Sequence, residues 1–127
     1  MNIEKVVFAF FIVLSATLNF GFVYGEIDNP AHHDVYELFA SVVVNIVAMV
    51  LKFGDRTQVG AVHLATSIVA VLQLIAASIA WAWFAHIHGS GIDAAGISTV
   101  VSLSAGALLA NIVSLVLLVS ETLALRR

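Results

Sequence analysis

Histidine and aspartate residues are concentrated in two short polar segments of the sequence. The members that could do chemistry are His32, His33, Asp34, His86, His88 and Asp93. Imidazole and carboxylate ligands together suit zinc, copper or nickel, so a divalent metal site is one interpretation. A second is a pH sensor, because a free imidazole titrates at about pH 6.5. The third is a polar cap that holds two loops in water.

A second set of polar residues lies inside long apolar stretches. The predicted ion-pathway residues are Glu37, Ser41, Asn45, Gln73 and Asn111, with Asn19 as a further candidate. Glu37, Ser41 and Asn45 recur every four residues and so share one helix face. In a homo-oligomer with this helix at the centre, Glu37 would form an acidic ring, which selects cations in channels. The alternatives are a solvated interfacial acid and amides that hydrogen-bond between helices.

Small residues recur at every fourth position near the C-terminus. They are Ser98, Ser102, Gly106, Ala110 and Ser114. A stripe of this kind lets two helix backbones approach closely in lipid. We therefore predict that it packs against another helix, either within the bundle or in a second subunit.

The composition defines the class of protein that must position these residues. Of 127 residues, 61% are hydrophobic and 10% are charged, with a mean hydropathy of +1.07. Soluble domains are roughly 25% charged, and one this short could not bury so much apolar surface. The sequence therefore predicts an integral membrane protein and excludes a soluble enzyme and a nucleic-acid binder. It has no cysteine and no serine–histidine–acid arrangement, so we expect no catalytic site.

Four apolar stretches are long enough to cross a bilayer, which takes about 20 residues. The predicted spans are residues 5–25, 35–53, 59–84 and 94–125. Asp34, Thr57 and Asp93 are candidate N-caps of the last three. Short loops join neighbouring spans, so we predict one all-α domain, an up-down antiparallel bundle of four transmembrane helices.

The basic residues predict the orientation of this bundle. All five lie at the two termini or in the second loop: Lys5, Lys52, Arg56, Arg126 and Arg127. With four spans, these three places share one side of the membrane. By the positive-inside rule both termini are cytoplasmic, and the protein is a multi-pass protein of a bacterial-type inner membrane. The opposite face, which holds the two histidine segments, has no lysine or arginine and would attract cations.

A weak internal repeat relates the two halves of the chain. The segment that begins at Asn45 resembles the segment that begins at Asn111, 66 residues later. The repeat predicts a duplicated two-helix hairpin in which these two asparagines are structural counterparts. The alternative is chance, because apolar helices reuse the same few residue types.

Together these features lead to one functional hypothesis and two alternatives. The leading hypothesis is a small homo-oligomeric cation channel or channel-like transporter whose outer histidine and carboxylate mouth is tuned by pH or metal. One alternative is a non-catalytic accessory or assembly subunit of a larger membrane complex, and the other is a haem- or metal-binding module. The expected partners are the lipid bilayer, cations and further copies of the chain. We expect no cofactor other than a divalent metal.

Overall fold

Four long helices make up the protein. A computed structural model describes residues 3–54, 57–87 and 91–125. The helices are α1 (Ile3–Val23), α2 (Val35–Lys52), α3 (Gln58–Ala82) and α4 (Ala94–Leu125). All four are long and apolar enough to cross a membrane, and the described residues contain no strand. The prediction of an all-α, multi-pass membrane protein is confirmed.

The predicted caps begin the last three helices. Side-chain oxygens of Asp34, Thr57 and Asp93 each lie 2.7–2.9 Å from a backbone nitrogen two or three residues further along. Each side chain thus accepts a hydrogen bond from an N–H group that has no partner within its helix. The predicted starts of these helices are therefore correct to within one residue.

Two helix ends differ from the prediction. The first helix ends at Val23, two residues early, because the chain turns at Gly25, whose φ of +108° suits glycine. The third helix continues past Ala82 as a π-helical segment, Trp83–Ile87. His86, predicted in a loop, therefore lies on a helical extension, where its ring contacts Trp81 at 5.2 Å between centroids.

The four helices pack as an antiparallel bundle. Each helix contacts the next along the chain, and α1 also contacts α4, which closes the bundle. The α3–α4 interface is the most extensive. We call the end that carries Lys5 and Lys52 the basic end. The other, which carries the α1–α2 loop and Asp93, we call the acidic end.

Apolar side chains form two separate layers inside the bundle. At the basic end the layer is small and consists of Phe8, Ile12 and Ala48. The larger layer lies towards the acidic end and includes Phe22, Leu38, Leu74, Ile97, Val100 and Val101. Helix lengths and the 1.5 Å rise per residue leave a middle zone between these layers, where polar side chains are buried.

Asn19 links α1 to α4 by hydrogen bonds in this middle zone. With its amide oriented to satisfy both atoms, Nδ2 donates to Ser104 O (3.0 Å), while Oδ1 accepts from Leu108 N (3.0 Å). The oxygen also accepts from Asn111 Nδ2 (3.3 Å). Ser104 and Leu108 are hydrogen-bond partners within a regular helix. The Asn19 amide therefore binds both the backbone of α4 and a buried side chain.

Replacing Asn19 by leucine should lower the free energy of unfolding by about 1–3 kcal/mol, because Asn111 loses its buried partner. The measurement is unfolding in mixed micelles under increasing denaturing detergent, followed by circular dichroism. The matched control is Thr17→Val, since the exposed Thr17 hydroxyl bonds only to its own helix at Leu14 O. Equal effects of the two substitutions would contradict the role of Asn19.

Candidate functional site: a buried polar interior with titratable groups at both ends

Nine polar residues from all four helices face the inside of the bundle. They are Ser15, Asn19, Ser41, Asn45, His63, Ser67, Ser104, Asn111 and Ser114, none more than 3% exposed. We call this set the polar interior. Three of its members, Ser41, Asn45 and Asn111, are predicted ion-pathway residues. The structure places them inside one chain, on faces that are buried in the bundle.

The polar interior follows the bundle axis. His63 lies nearest the basic end, at the level of Phe8, whose ring it meets edge-on at 5.1 Å between centroids. The Thr66 and Ser114 hydroxyls, 2.5 Å apart, form the next level. Asn19 and Ser104 lie furthest towards the acidic end. Beyond them lies most of the larger apolar layer, whereas at the basic end His63 lies beside Phe8 and Glu121.

Some polar atoms of the polar interior have no hydrogen-bond partner among the described residues. Asn45 Nδ2 donates to Ser41 O in its own helix at 2.7 Å. The hydroxyl oxygens of Ser41, Ser67 and Ser104 are buried and have no hydrogen-bond partner among the described residues. Buried polar groups are normally satisfied, so these hydroxyls retain hydrogen-bonding capacity for water or for a second arrangement of the helices.

A group of ionisable side chains stands at the basic end. Glu121 on α4 lies between two partners, with Oε1 3.3 Å from Lys5 Nζ and Oε2 3.9 Å from His63 Nε2. Lys52 lies over the Phe8 ring at 4.1 Å. A cavity of about 730 Å³ between the start of α1 and the end of α2 reaches Lys5, Lys52 and Glu121. The polar interior thus adjoins a wide, charged opening at the basic end.

At the acidic end, Glu37 is the counterpart of the ionisable group around Glu121. Its carboxylate lies against Gly21 of α1, where a Cβ atom would overlap it. Glycine therefore allows the acid to pack between α1 and α2, and Glu37 is only half-exposed. Ser41 and Asn45 continue inward from Glu37 on the same face, as predicted from their spacing.

His33 connects the α1–α2 loop to the end of α1. Its Nδ1 lies 2.5 Å from Phe22 O, and its Nε2 lies 2.7 Å from Glu26 O. The side chain is buried. A neutral imidazole has one N–H group, so only the doubly protonated ring donates to both carbonyl oxygens.

The described parts of the two histidine segments do not form a metal site. Among the described residues, no three histidine or acidic side chains come together. His33 and Glu37 do not share a helix, because α2 begins only at Val35. His32 Nδ1 instead accepts a hydrogen bond from the backbone N–H of Glu26 (2.9 Å). Asp34 and Asp93 are caps, and His88 lies outside the described residues.

The small-residue stripe of α4 has several environments. Gly106 packs against the amide of Gln73 on α3, the remaining predicted pathway residue. Ala110 and Ser114 are buried inside the bundle. Ser98 is half-exposed and Ser102 is exposed. Much of the stripe therefore lies at the α3–α4 interface, and its acidic-end part lies on the outside of the bundle.

Comparison with known proteins assigns the chain to a family. The model of a family of unknown function, DUF6394, matches residues 32–122. The chain belongs to the DUF6394 family. The match covers α2, α3 and most of α4, and so includes Glu37, His63 and Glu121. No curated protein and no solved structure matches the chain.

The sequence prediction did not include five contributors to the site, which are His63, Ser67 and Ser104 together with Ser15 and Glu121. Ser15 is fully buried in the polar interior, and Glu121 joins Lys5 to His63. For Glu121 a signal existed. In an up-down bundle the start of the first helix and the end of the fourth lie on one side, so Lys5 and Glu121 are natural partners. For Ser15 a signal also existed, because it lies one helical turn before Asn19 on the same face, and serine is enriched where membrane helices pack together.

His33→Leu should loosen the α1–α2 loop, because it removes both contacts to backbone carbonyls. We expect amide hydrogen exchange in residues 24–34 to accelerate about tenfold, the effect of losing one to two buried hydrogen bonds. The measurement is hydrogen–deuterium exchange by mass spectrometry in lipid nanodiscs. His86→Leu is the control, since His86 is exposed. Unchanged exchange in His33→Leu would show that the loop is held by other contacts.

Proposed function

We propose that this DUF6394 protein moves protons, or another small cation, across the membrane through the inside of its helix bundle. The observation that carries the proposal is the polar interior, which lies between ionisable groups at both ends and contains three hydroxyls with spare hydrogen-bonding capacity. Ionisable side chains in membrane helices are rare, and they often mark ion pathways and proton relays.

The packing favours the proton over a larger cation. The nine residues of the polar interior are closely surrounded by helices, and eight of them are neutral serine or asparagine. A metal cation needs carbonyl or carboxylate oxygens to replace its hydration shell. A proton needs only a chain of hydroxyl, amide and water groups. Among small cations, the proton therefore suits this interior best.

The two ends of the bundle would have different roles. Glu37 would take up protons from the acidic end, where its carboxylate packs between α1 and α2. Glu121 and His63 would exchange them with the cavity at the basic end. The larger apolar layer lies between the polar interior and the acidic end, so we assign the structure to a closed state. Transport would require this layer to separate or to admit water, as hydrophobic constrictions in channels do.

The orientation follows from the charges of the sequence. Lys5 and Lys52 lie at the basic end, and all five lysine and arginine residues of the sequence fall at the two termini or in the second loop, so we place the basic end in the cytoplasm together with both termini. The acidic end would then face the outside of an inner membrane, where its carboxylates raise the local cation concentration. We propose no catalytic activity, because each role assigned above is a binding or proton-exchange role.

The test is proton flux into liposomes that contain the purified protein and a pH-sensitive dye. A potassium gradient with valinomycin supplies the driving potential. Wild-type protein should acidify the interior faster than empty liposomes do. Glu37→Gln, Glu121→Gln and Asn45→Leu should each slow this flux by about tenfold or more, since each removes a group that accepts or passes a proton.

Asp28→Asn is the matched control, because it removes an exposed acidic charge from the same end without touching the polar interior. Each variant is first shown to keep the helical content and unfolding midpoint of the wild type. Wild-type flux no greater than in empty liposomes would refute the proposal and favour an accessory subunit. Equal slowing by Asp28→Asn would attribute the effect to surface charge alone.

A further inference from the structure

Gln73 is a polar residue on the outside of the bundle at mid-membrane depth. It lies near the middle of the apolar helical stretch Gln58–Ile87 and is only partly buried. Its amide lies flat on Gly106, with its atoms 3.2–3.4 Å from the position that a Cβ of residue 106 would take. Glycine therefore provides the space in which this amide rests.

The Gln73 amide has no hydrogen-bond partner among the described residues of the chain. Hydrocarbon supplies neither donors nor acceptors, so an unpaired amide at this depth is unfavourable. A glutamine side chain at mid-span is also too short to reach the interface, unlike a lysine near a helix end. The amide therefore needs a partner from outside this chain.

The surface around Gln73 has the shape of a shallow groove between α3 and α4. The groove has a volume of about 390 Å³ and is lined by Val69, Leu72, Gln73, Ala76 and Leu103. Leu72 is 62% exposed, so it projects outward beside the amide. Ser102, one helical turn from Gly106, exposes a second polar group on the same stripe of α4. The groove thus combines small, apolar and polar elements, as helix interfaces in membranes do.

We propose that this groove is the interface at which two copies of the chain dimerise, with the two Gln73 amides hydrogen-bonded to each other. A carboxamide carries both a donor and an acceptor, so two identical amides related by a two-fold axis satisfy each other. Lipid chains fill an apolar groove equally well but leave the amide unpaired. The self-complementary chemistry of Gln73 therefore favours a second copy over lipid or an unrelated protein.

This interface differs from that of the homo-oligomer predicted from the sequence, in which the second helix lies at the central axis. Ser41 and Asn45 on α2 are buried inside their own bundle, so they are not available for contacts between subunits. The proposed dimer instead uses α3 and α4 and leaves the polar interior of each copy intact. It does not rest on the proposed proton transport, and its test involves no flux measurement.

The first experiment is disulfide cross-linking in native membranes. The chain contains no cysteine, so single-cysteine variants report on one position each. Leu72→Cys should form a covalent dimer on mild oxidation. Val43→Cys is the matched control, because Val43 is 60% exposed near the middle of α2, on a different face of the bundle. Cross-linking of neither variant, or of both to the same extent, would overturn the proposal.

The second experiment measures the mass of the purified protein by light scattering over a range of detergent concentrations. Wild type should be dimeric, and Gln73→Leu should shift the dimer–monomer midpoint by about tenfold towards monomer, as loss of an interhelical hydrogen bond in a membrane predicts. Thr17→Val, an exposed polar group on α1, should leave the midpoint unchanged. A monomeric wild type in both nanodiscs and detergent would refute the dimer and favour lipid or another protein in the groove.

Discussion

The fold depends on one constraint, which is that lipid hydrocarbon offers no hydrogen-bond partner to a polar side chain. Asn19 shows how the protein meets it. Its amide bonds at the same time to the backbone of α4 and to the buried Asn111, whose Nδ2 donates to Asn19 Oδ1. Because apolar faces of membrane helices gain little by meeting one another, such contacts fix which faces of α1 and α4 turn inward.

The same constraint explains how charges are distributed along the bundle. The polar interior contains no acidic residue, and its only histidine lies at one end, beside Glu121 and the opening that reaches Lys5 and Lys52. At the acidic end, Glu37 is positioned beside Gly21. Ionisable groups thus flank a middle zone of serine and asparagine side chains.

The helices were predictable and their mutual rotation was not. Long apolar stretches and the caps Asp34, Thr57 and Asp93 determine where helices begin. The faces that the helices turn to one another could not be predicted. Every face of these helices is apolar, and a polar stripe fits either a bundle interior or a subunit interface. Ser41 and Asn45 turn inward, whereas Gln73 lies on the outside, and their spacing alone does not distinguish these outcomes. The contact of His33 with Phe22 O depends on loop geometry that no local pattern encodes.

The helices differ greatly in length, and this has a mechanical consequence. At 1.5 Å per residue, the 18 residues of α2 extend about 27 Å, whereas the 32 residues of α4 extend about 48 Å. A hydrocarbon layer of about 30 Å is slightly too thick for α2 and too thin for α4. A thicker bilayer would relieve the mismatch of α4 and increase that of α2. A change in membrane thickness therefore favours sliding of α2 and α4 relative to each other, along the axis that the polar interior follows.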